Sequence, residues 1–135
     1  LEITIAELQK LGESEDHIEF KEAKHNYTFA GGKHVDLKDR RRCVLGCIVA
    51  LANEKGGRLV LGMVYAHAVV GSDFAENEVG ELTDEIYERL GIRIEATELY
   101  EDGAVLVLSV PSRPVGRVLR FEGVPLMRTG ESLRA

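Results

Sequence analysis

The sequence predicts an α+β domain in which two longer helices and a short N-terminal helix pack on a mixed β-sheet. Three observations support this fold class. Apolar residues recur at helical spacing over residues 4–10, 36–55 and 77–90. Short alternating or continuous apolar stretches, typical of strands, lie between and after these segments. The pair Asp102-Gly103 indicates a hairpin between two of the strands.

The helix ends carry recognisable signals. Thr4 and Glu7 are spaced as a capping box at the start of the first helix. Asp36 is the expected N-cap of the second, which the glycines at 56 and 57 end, and Gly91 ends the third. The residues expected to face the core are Ile5, Leu8 and Leu11, then Leu37, Val44, Ile48 and Leu51, then Val79, Leu82, Ile86 and Leu90.

The predicted strands differ in their burial. Residues 17–21 alternate, with Ile18 and Phe20 on the core face, which is typical of a half-buried strand. Residues 58–64 are apolar throughout, which favours a central strand. Further strands are expected over 68–70, 92–100, 104–110, 118–121 and 124–128, the last two joined at Glu122-Gly123.

A length of 135 residues suits one domain over residues 1–135. Because the first residue is not Met, we expect this domain to be part of a longer protein. No apolar run approaches the roughly 18 residues that cross a bilayer, and no secretory pattern opens the chain. Cys43 and Cys47 are expected to be reduced and buried, which favours a cytoplasmic location.

No cofactor is expected. A zinc site built from the two cysteines with His25 or His34 would lack the spacing of a ribbon or finger. The sequence also contains no Walker loop and no G-x-G-x-x-G after a strand. The net charge is −6, with 23 acidic against 17 basic residues, so nucleic acid could bind only at a local basic patch.

Two basic groups could form such a patch. Basic residues interleaved with aromatic ones suit single-stranded nucleic acid, through phosphate contacts and base stacking. The alternative is that these side chains pair with the more numerous acids. The first group comprises Lys24, His25, Lys33, His34, Lys38, Arg40, Arg41 and Arg42, with Tyr27 and Phe29 among them, and the second comprises Arg113, Arg117, Arg120 and Arg128.

Carboxylates cluster around the first predicted strand, at Glu13, Glu15, Asp16 and Glu19. Such a cluster can hold a divalent cation for phosphodiester cleavage. It can equally be the solvated outer face and end of a strand, beside Lys21, and this second interpretation is the commoner case.

Several segments in order resemble the Schlafen-type Alba-like domain. Residues 13–21 resemble its opening E-S-x-x-x-E-F-K element, and residues 52–62 resemble its A-N-x-x-G-G strand entry. Val69-Val70-Gly71, residues 110–115 and residues 125–132 are similar to its later elements. The resemblance covers nearly the whole chain. It implies a DNA-binding or RNA-binding domain of bacterial transcriptional regulators, including chains described as divergent AAA ATP-binding proteins.

The resemblance also implies a nuclease alternative, because vertebrate Schlafen relatives cleave RNA with two glutamates and an aspartate. Glu19 matches the second glutamate, and Glu13 or Glu15 is available for the first. The aspartate is replaced by Val64 or Tyr65. We therefore expect no catalysis. A Mg²⁺ or Mn²⁺ ion would be needed only if Glu15 and Glu19 served a ribonuclease.

The sequence thus supports a DNA-binding or RNA-binding module first. A metal-dependent ribonuclease is second, and an interaction domain whose edge strands over 118–128 pair in a homodimer is third. No membrane partner is expected. The residues expected to contact nucleic acid are Lys21, Lys33, Lys38, Arg40, Arg41, Arg42 and Arg128.

Overall fold

Four strands form one mixed sheet: β1 (Ile18–Lys21), β2 (Gly57–Leu61), β3 (Glu95–Tyr100) and β4 (Ala104–Val110). Their order is β1-β2-β4-β3, with β1 and β2 parallel and the other neighbours antiparallel. The structure is a computed structural model that describes residues 3–11, 17–22, 28–31, 36, 40–63, 69, 71, 79–100, 103–129 and 132–134. The mixed sheet and the central place of β2 confirm the predicted fold class.

Among the described residues, the helices that cover the two faces of the sheet are α1 (Ile5–Leu8), α2 (Val44–Asn53) and α3 (Val79–Leu90). The leucines of β2 and β4 pack with α2 and α3 in the larger core cluster. Ile18, Phe20, Val60, Val105 and Val107 pack with α1 on the opposite face. The alternation of each strand therefore divides its side chains between two cores. No helix in the described ranges is long and apolar enough to cross a bilayer.

The predicted capping box is present at α1. The N–H of Glu7 donates to Oγ1 of Thr4 at 3.2 Å, and the N–H of Thr4 donates to Oε1 of Glu7 at 3.2 Å. Ile5 and Leu8 are buried, as their spacing predicts. The pair of hydrogen bonds satisfies two amides that a short helix would otherwise leave unpaired.

The predicted second helix does not run unbroken from Asp36, because α2 begins at Val44. Its N-cap is Cys43, which is extended, with φ −151° and ψ 176°. The Sγ atom of Cys43 accepts a hydrogen bond from the N–H of Gly46 at 3.4 Å. Of the predicted first part, the structure shows one helical hydrogen bond, from Arg40 N–H to the Asp36 carbonyl at 3.0 Å.

A strand-like contact explains why the helix starts late. Thr28 forms a parallel bridge with Cys43. The amides of Val44 and Leu45 donate to the carbonyls of Thr28 and Phe29, each at 3.0 Å. An amide that pairs with another segment cannot donate four residues back along its own chain, so α2 cannot continue unbroken from the helical turn at Arg40.

Two small hairpins follow the sheet. The first is β5 (Arg120–Phe121) with β6 (Val124–Pro125), joined at Glu122 and Gly123 as predicted. The second is β7 (Met127–Thr129) with β8 (Ser132–Arg134), which the sequence did not predict. Both hairpins lie against α2 on the side away from the sheet.

Asn53 joins α2 to this outer layer. Its Nδ2 donates to the carbonyls of Leu119 at 2.9 Å and Leu126 at 3.0 Å, and its Oδ1 accepts from the N–H of Leu119 at 2.9 Å. The asparagine of the A-N-x-x-G-G element therefore fastens the chain on both sides of the first hairpin to the end of α2.

The glycine pair of the same element serves backbone packing. Gly57 has φ +155°, and a Cβ atom there would overlap the carbonyl oxygen of His17 at the start of β1. Gly56 has φ +88° and would direct a Cβ against the backbone at the end of β4. Both glycines are thus required by chain reversal and close strand approach, which agrees with their predicted place at the end of the second helix.

Candidate functional site

An open groove of about 330 Å³ lies where the start of α2, the end of α3 and the turn of the β5–β6 hairpin meet. Its floor is apolar and its rim is charged. We call it the arginine groove, and its lining residues are Ala30, Leu45, Arg89, Leu90, Arg120, Phe121 and Glu122.

The hairpin turn places a carboxylate at the rim. Glu122 and Gly123 both have positive φ, 49° and 80°, as a type I′ two-residue turn requires. Nε of Arg40 donates to Oε1 of Glu122 at 2.9 Å, across a sequence separation of 82 residues. The side chains are 29% and 42% exposed. For Arg40, the alternative that basic residues pair with acids is therefore realised.

Arg89 enters the groove from the last turn of α3. Its Nε donates to Oε1 of Glu85 at 2.9 Å, one helical turn away. Its guanidinium lies over the ring of Phe29, 5.7 Å from the centroid. Phe29 was predicted from the sequence to stack on a base, but in the structure the guanidinium of Arg89 lies over the ring of Phe29.

The second predicted basic group is only partly at the groove. Arg120 lines it, and its Nη1 lies 3.5 Å from the carbonyl of Gly123. Arg117 donates from Nη2 to the carbonyl of Leu90 at 3.1 Å, which closes the end of α3. Arg113 donates to the carbonyl of Arg117 at 3.0 Å, so these two arginines stabilise the chain before the hairpin.

Arg41 and Arg42 lie before Cys43, the N-cap of α2. They are therefore outside the helix, although the predicted helix over residues 36–55 would have contained them. Arg42 is exposed and Arg41 is half-buried. The backbone of Arg41 packs against Gly46, where even a methyl group would overlap the Arg41 carbonyl oxygen. This contact fixes the chain that carries both arginines next to Arg40.

Glu19 and Lys21 lie apart from the groove, on the α2 side of β1. Glu19 is only 2% exposed, and among the described residues it is the one charged side chain that is buried. Nζ of Lys21 lies 3.1 Å from Oε1 of Glu19. The expectation that Glu19 stands on a solvated strand face is therefore wrong, because the parallel pairing with β2 places it beside Leu59 under the helical layer.

Several predicted residues cannot be placed in the site. Arg128 belongs to β7, where its backbone pairs with Leu133. Among the described residues, no three His, Cys, Asp or Glu side chains are grouped closely enough to hold a metal ion. The predicted residues outside the described ranges are Glu13, Glu15, Asp16, Lys24, His25, Tyr27, Lys33, His34 and Lys38.

The thiol of Cys43 is influenced by the charge of Glu122, a lining residue of the groove. Burial raises the pKa of its thiol to about 11, and the carboxylate of Glu122 adds to this rise. Hydrogen bonds from the amides of Gly46 and Leu45 act in the opposite direction. Cys43 and Cys47 are both buried and form no disulfide, so the thiol of Cys43 serves as a protonated helix cap.

Two residues of the groove were missed in the sequence. Arg89 has the ordinary appearance of a solvent-facing partner for Glu85, four residues earlier. Glu122 was recognised only as a turn residue. The one signal in the sequence was the Glu-Gly turn itself, which places a carboxylate between two arginine-containing strands.

The family described as Schlafen, AlbA_2 matches residues 14–135 of the chain. The fold is similar to the crystal structure of the DIP2311 protein from Corynebacterium diphtheriae, with a TM-score of 0.65 and 17% sequence identity. The similarity covers 88% of this chain and 25% of that chain, so this chain spans about a quarter of the length of the DIP2311 protein. No curated protein matches the chain.

Proposed function

Because the chain belongs to the Schlafen, AlbA_2 family, a family of nucleic-acid-related domains, we propose that it binds DNA or RNA as a non-catalytic module of a transcriptional regulator. The observation that carries this proposal is that Arg89 and Arg120 line one groove, and that Arg40 is joined to it by its ion pair with the lining residue Glu122. These arginines come from three separate parts of a chain whose net charge is −6. A local concentration of guanidinium groups on an acidic protein favours one polyanion site.

The ion pairs at the groove are of a kind that phosphate can replace. The Arg40–Glu122 and Arg89–Glu85 pairs are partly exposed, and such pairs contribute only about 0.2–1 kcal/mol. They hold the guanidinium groups in place in the unbound protein. A phosphate group offers the same geometry with the added free energy of counterion release.

We expect Arg40→Gln and Arg120→Gln, tested singly, each to weaken nucleic-acid binding and to reduce its salt dependence. Each loss of a phosphate contact lowers the slope of log K against log salt by about one. The measurement is fluorescence anisotropy with labelled single-stranded RNA, single-stranded DNA and duplex DNA at several salt concentrations.

The matched control is Lys10→Gln, which removes one positive charge from an exposed residue after α1, on the other side of the sheet. It should leave the salt slope unchanged. If the parent protein binds none of the three probes, the proposed function is wrong, and an interaction domain becomes the better description.

A separate prediction concerns Glu19 and the cleavage of nucleic acid. A metal-dependent nuclease would need this carboxylate, yet it is buried and paired with Lys21. We expect probes to remain intact with Mg²⁺ or Mn²⁺ for both the parent and Glu19→Gln, as seen by gel electrophoresis. Metal-dependent cleavage by the parent that Glu19→Gln abolishes would establish the ribonuclease alternative instead.

A further inference from the structure

The arginine groove has an apolar floor as well as a charged rim, and a site for phosphate alone would need only the charged rim. Its floor is formed by apolar side chains, Leu45, Leu90 and Phe121, with Ala30 at the wall. Its rim carries Arg89 and Arg120 together with the carboxylate of Glu122, which is paired with Arg40. Its volume of about 330 Å³ falls at the lower end of the range for pockets that hold small organic ligands. The lining fits a ligand with an apolar plane and an attached anion.

We propose that the arginine groove holds one unpaired nucleotide, with the base on the apolar floor and the phosphate at the arginine rim. This inference rests on the proposed function and makes it more specific, since it assigns single-stranded nucleic acid as the ligand. A base in a duplex must first be unpaired and unstacked, at a cost in free energy, whereas an unpaired base can be turned out into a recess without breaking a base pair.

The position of Arg89 supports this assignment. Glu85 and the ring of Phe29 hold the Arg89 guanidinium, and its side chain is still 50% exposed. A guanidinium plane that is held in this way can stack on a base while its edge contacts phosphate. Arg89 can therefore serve both parts of a nucleotide, whereas Arg113 and Arg117 do not line the groove and donate to backbone carbonyls.

The test has two separate parts. An abasic probe removes the base, and the Ala30→Leu variant fills the space that the base would occupy. The probes are a short labelled single strand, the same strand with abasic positions throughout, and a duplex of equal length. Stacking of a base is worth about tenfold in affinity. We expect the parent to bind the base-bearing strand about tenfold more tightly than the abasic strand, although both strands carry the same phosphates.

The variant is Ala30→Leu, which fills the wall of the groove and leaves every arginine in place. It should bind the base-bearing strand about tenfold less tightly than the parent and no longer distinguish it from the abasic strand. Duplex binding and the thermal unfolding midpoint should change little.

Two results would overturn the inference alone. In the first, the parent binds abasic and base-bearing strands equally, which needs no variant to interpret. In the second, Ala30→Leu binds single strands as the parent does while Arg120→Gln loses affinity, so that phosphate contacts remain but the floor is unused. Absence of binding to every probe would instead refute the proposed function, and the inference with it.

Discussion

Gly46→Ala is expected to destabilise the protein by about 3 kcal/mol, although alanine is normally the better helix former. The added methyl group would overlap the carbonyl oxygen of Arg41 and lie 2.8 Å from its carbonyl carbon. This backbone has little freedom to move, because Thr28 and Phe29 hold the neighbouring amides of Val44 and Leu45. The free energy of unfolding in urea, at constant m-value, measures the effect.

The matched control is Gly80→Ala, the same substitution in α3, where the added methyl group would meet no heavy atom within 4 Å among the described residues, apart from its chain neighbours and the nearby backbone of its own helix. This variant should be as stable as the parent or more stable by up to about 1 kcal/mol. Equal stability of the two variants would show that the contact between Gly46 and Arg41 is not tight in solution.

Asn53→Ala is expected to cost about 3 kcal/mol, since it removes three hydrogen bonds and leaves two carbonyls and one amide without their partner. These groups lie between α2 and the outer hairpins and are partly buried. The variant should also bind a hydrophobic dye such as ANS, because loosening Leu119 and Leu126 exposes the apolar helix beneath them.

Thr83→Ala is the control for hydrogen-bond loss. Oγ1 of Thr83 donates to the carbonyl of Gly80 at 3.0 Å on the exposed side of α3. Its removal should change the free energy of unfolding by no more than about 0.5 kcal/mol. If Asn53→Ala costs no more than Thr83→Ala, the two hairpins are held by their apolar contacts alone.

Much of the fold could be predicted because its causes are local. The Thr4–Glu7 capping box, the alternation of Ile18 and Phe20, and the hairpin turns at Gly103 and Gly123 involve residues close in sequence. The family resemblance was also readable, and it is confirmed over residues 14–135. The capping box, the strand alternation and the hairpin turns each depend only on residues that are close in sequence.

The errors have distant causes. The late start of α2 depends on Thr28 and Phe29, which take the amides that a longer helix would use. The burial of Glu19 depends on a parallel partner strand about 40 residues later, and parallel pairing has no local turn signal.

The candidate site was predictable only in part for the same reason. Arg40 and Arg120 were recognised as members of two basic groups, but nothing near either residue shows that they meet. Their meeting depends on how α2, α3 and the β5–β6 hairpin pack. Glu122 contacts Arg40 across 82 residues, and Arg89 joins them from a helix whose own surface pairing with Glu85 appears ordinary.

The burial of α2 has a consequence for the synthesis of the protein on the ribosome. Every residue from Val44 to Ala52 is buried, yet Leu119, Phe121 and Leu126, which cover the outer side, belong to the last part of the chain. At a synthesis rate of about 5–20 residues per second, this helix stays without its outer cover for seconds after it leaves the ribosome. The nascent protein therefore presents an apolar helix that a chaperone can bind until the hairpins arrive.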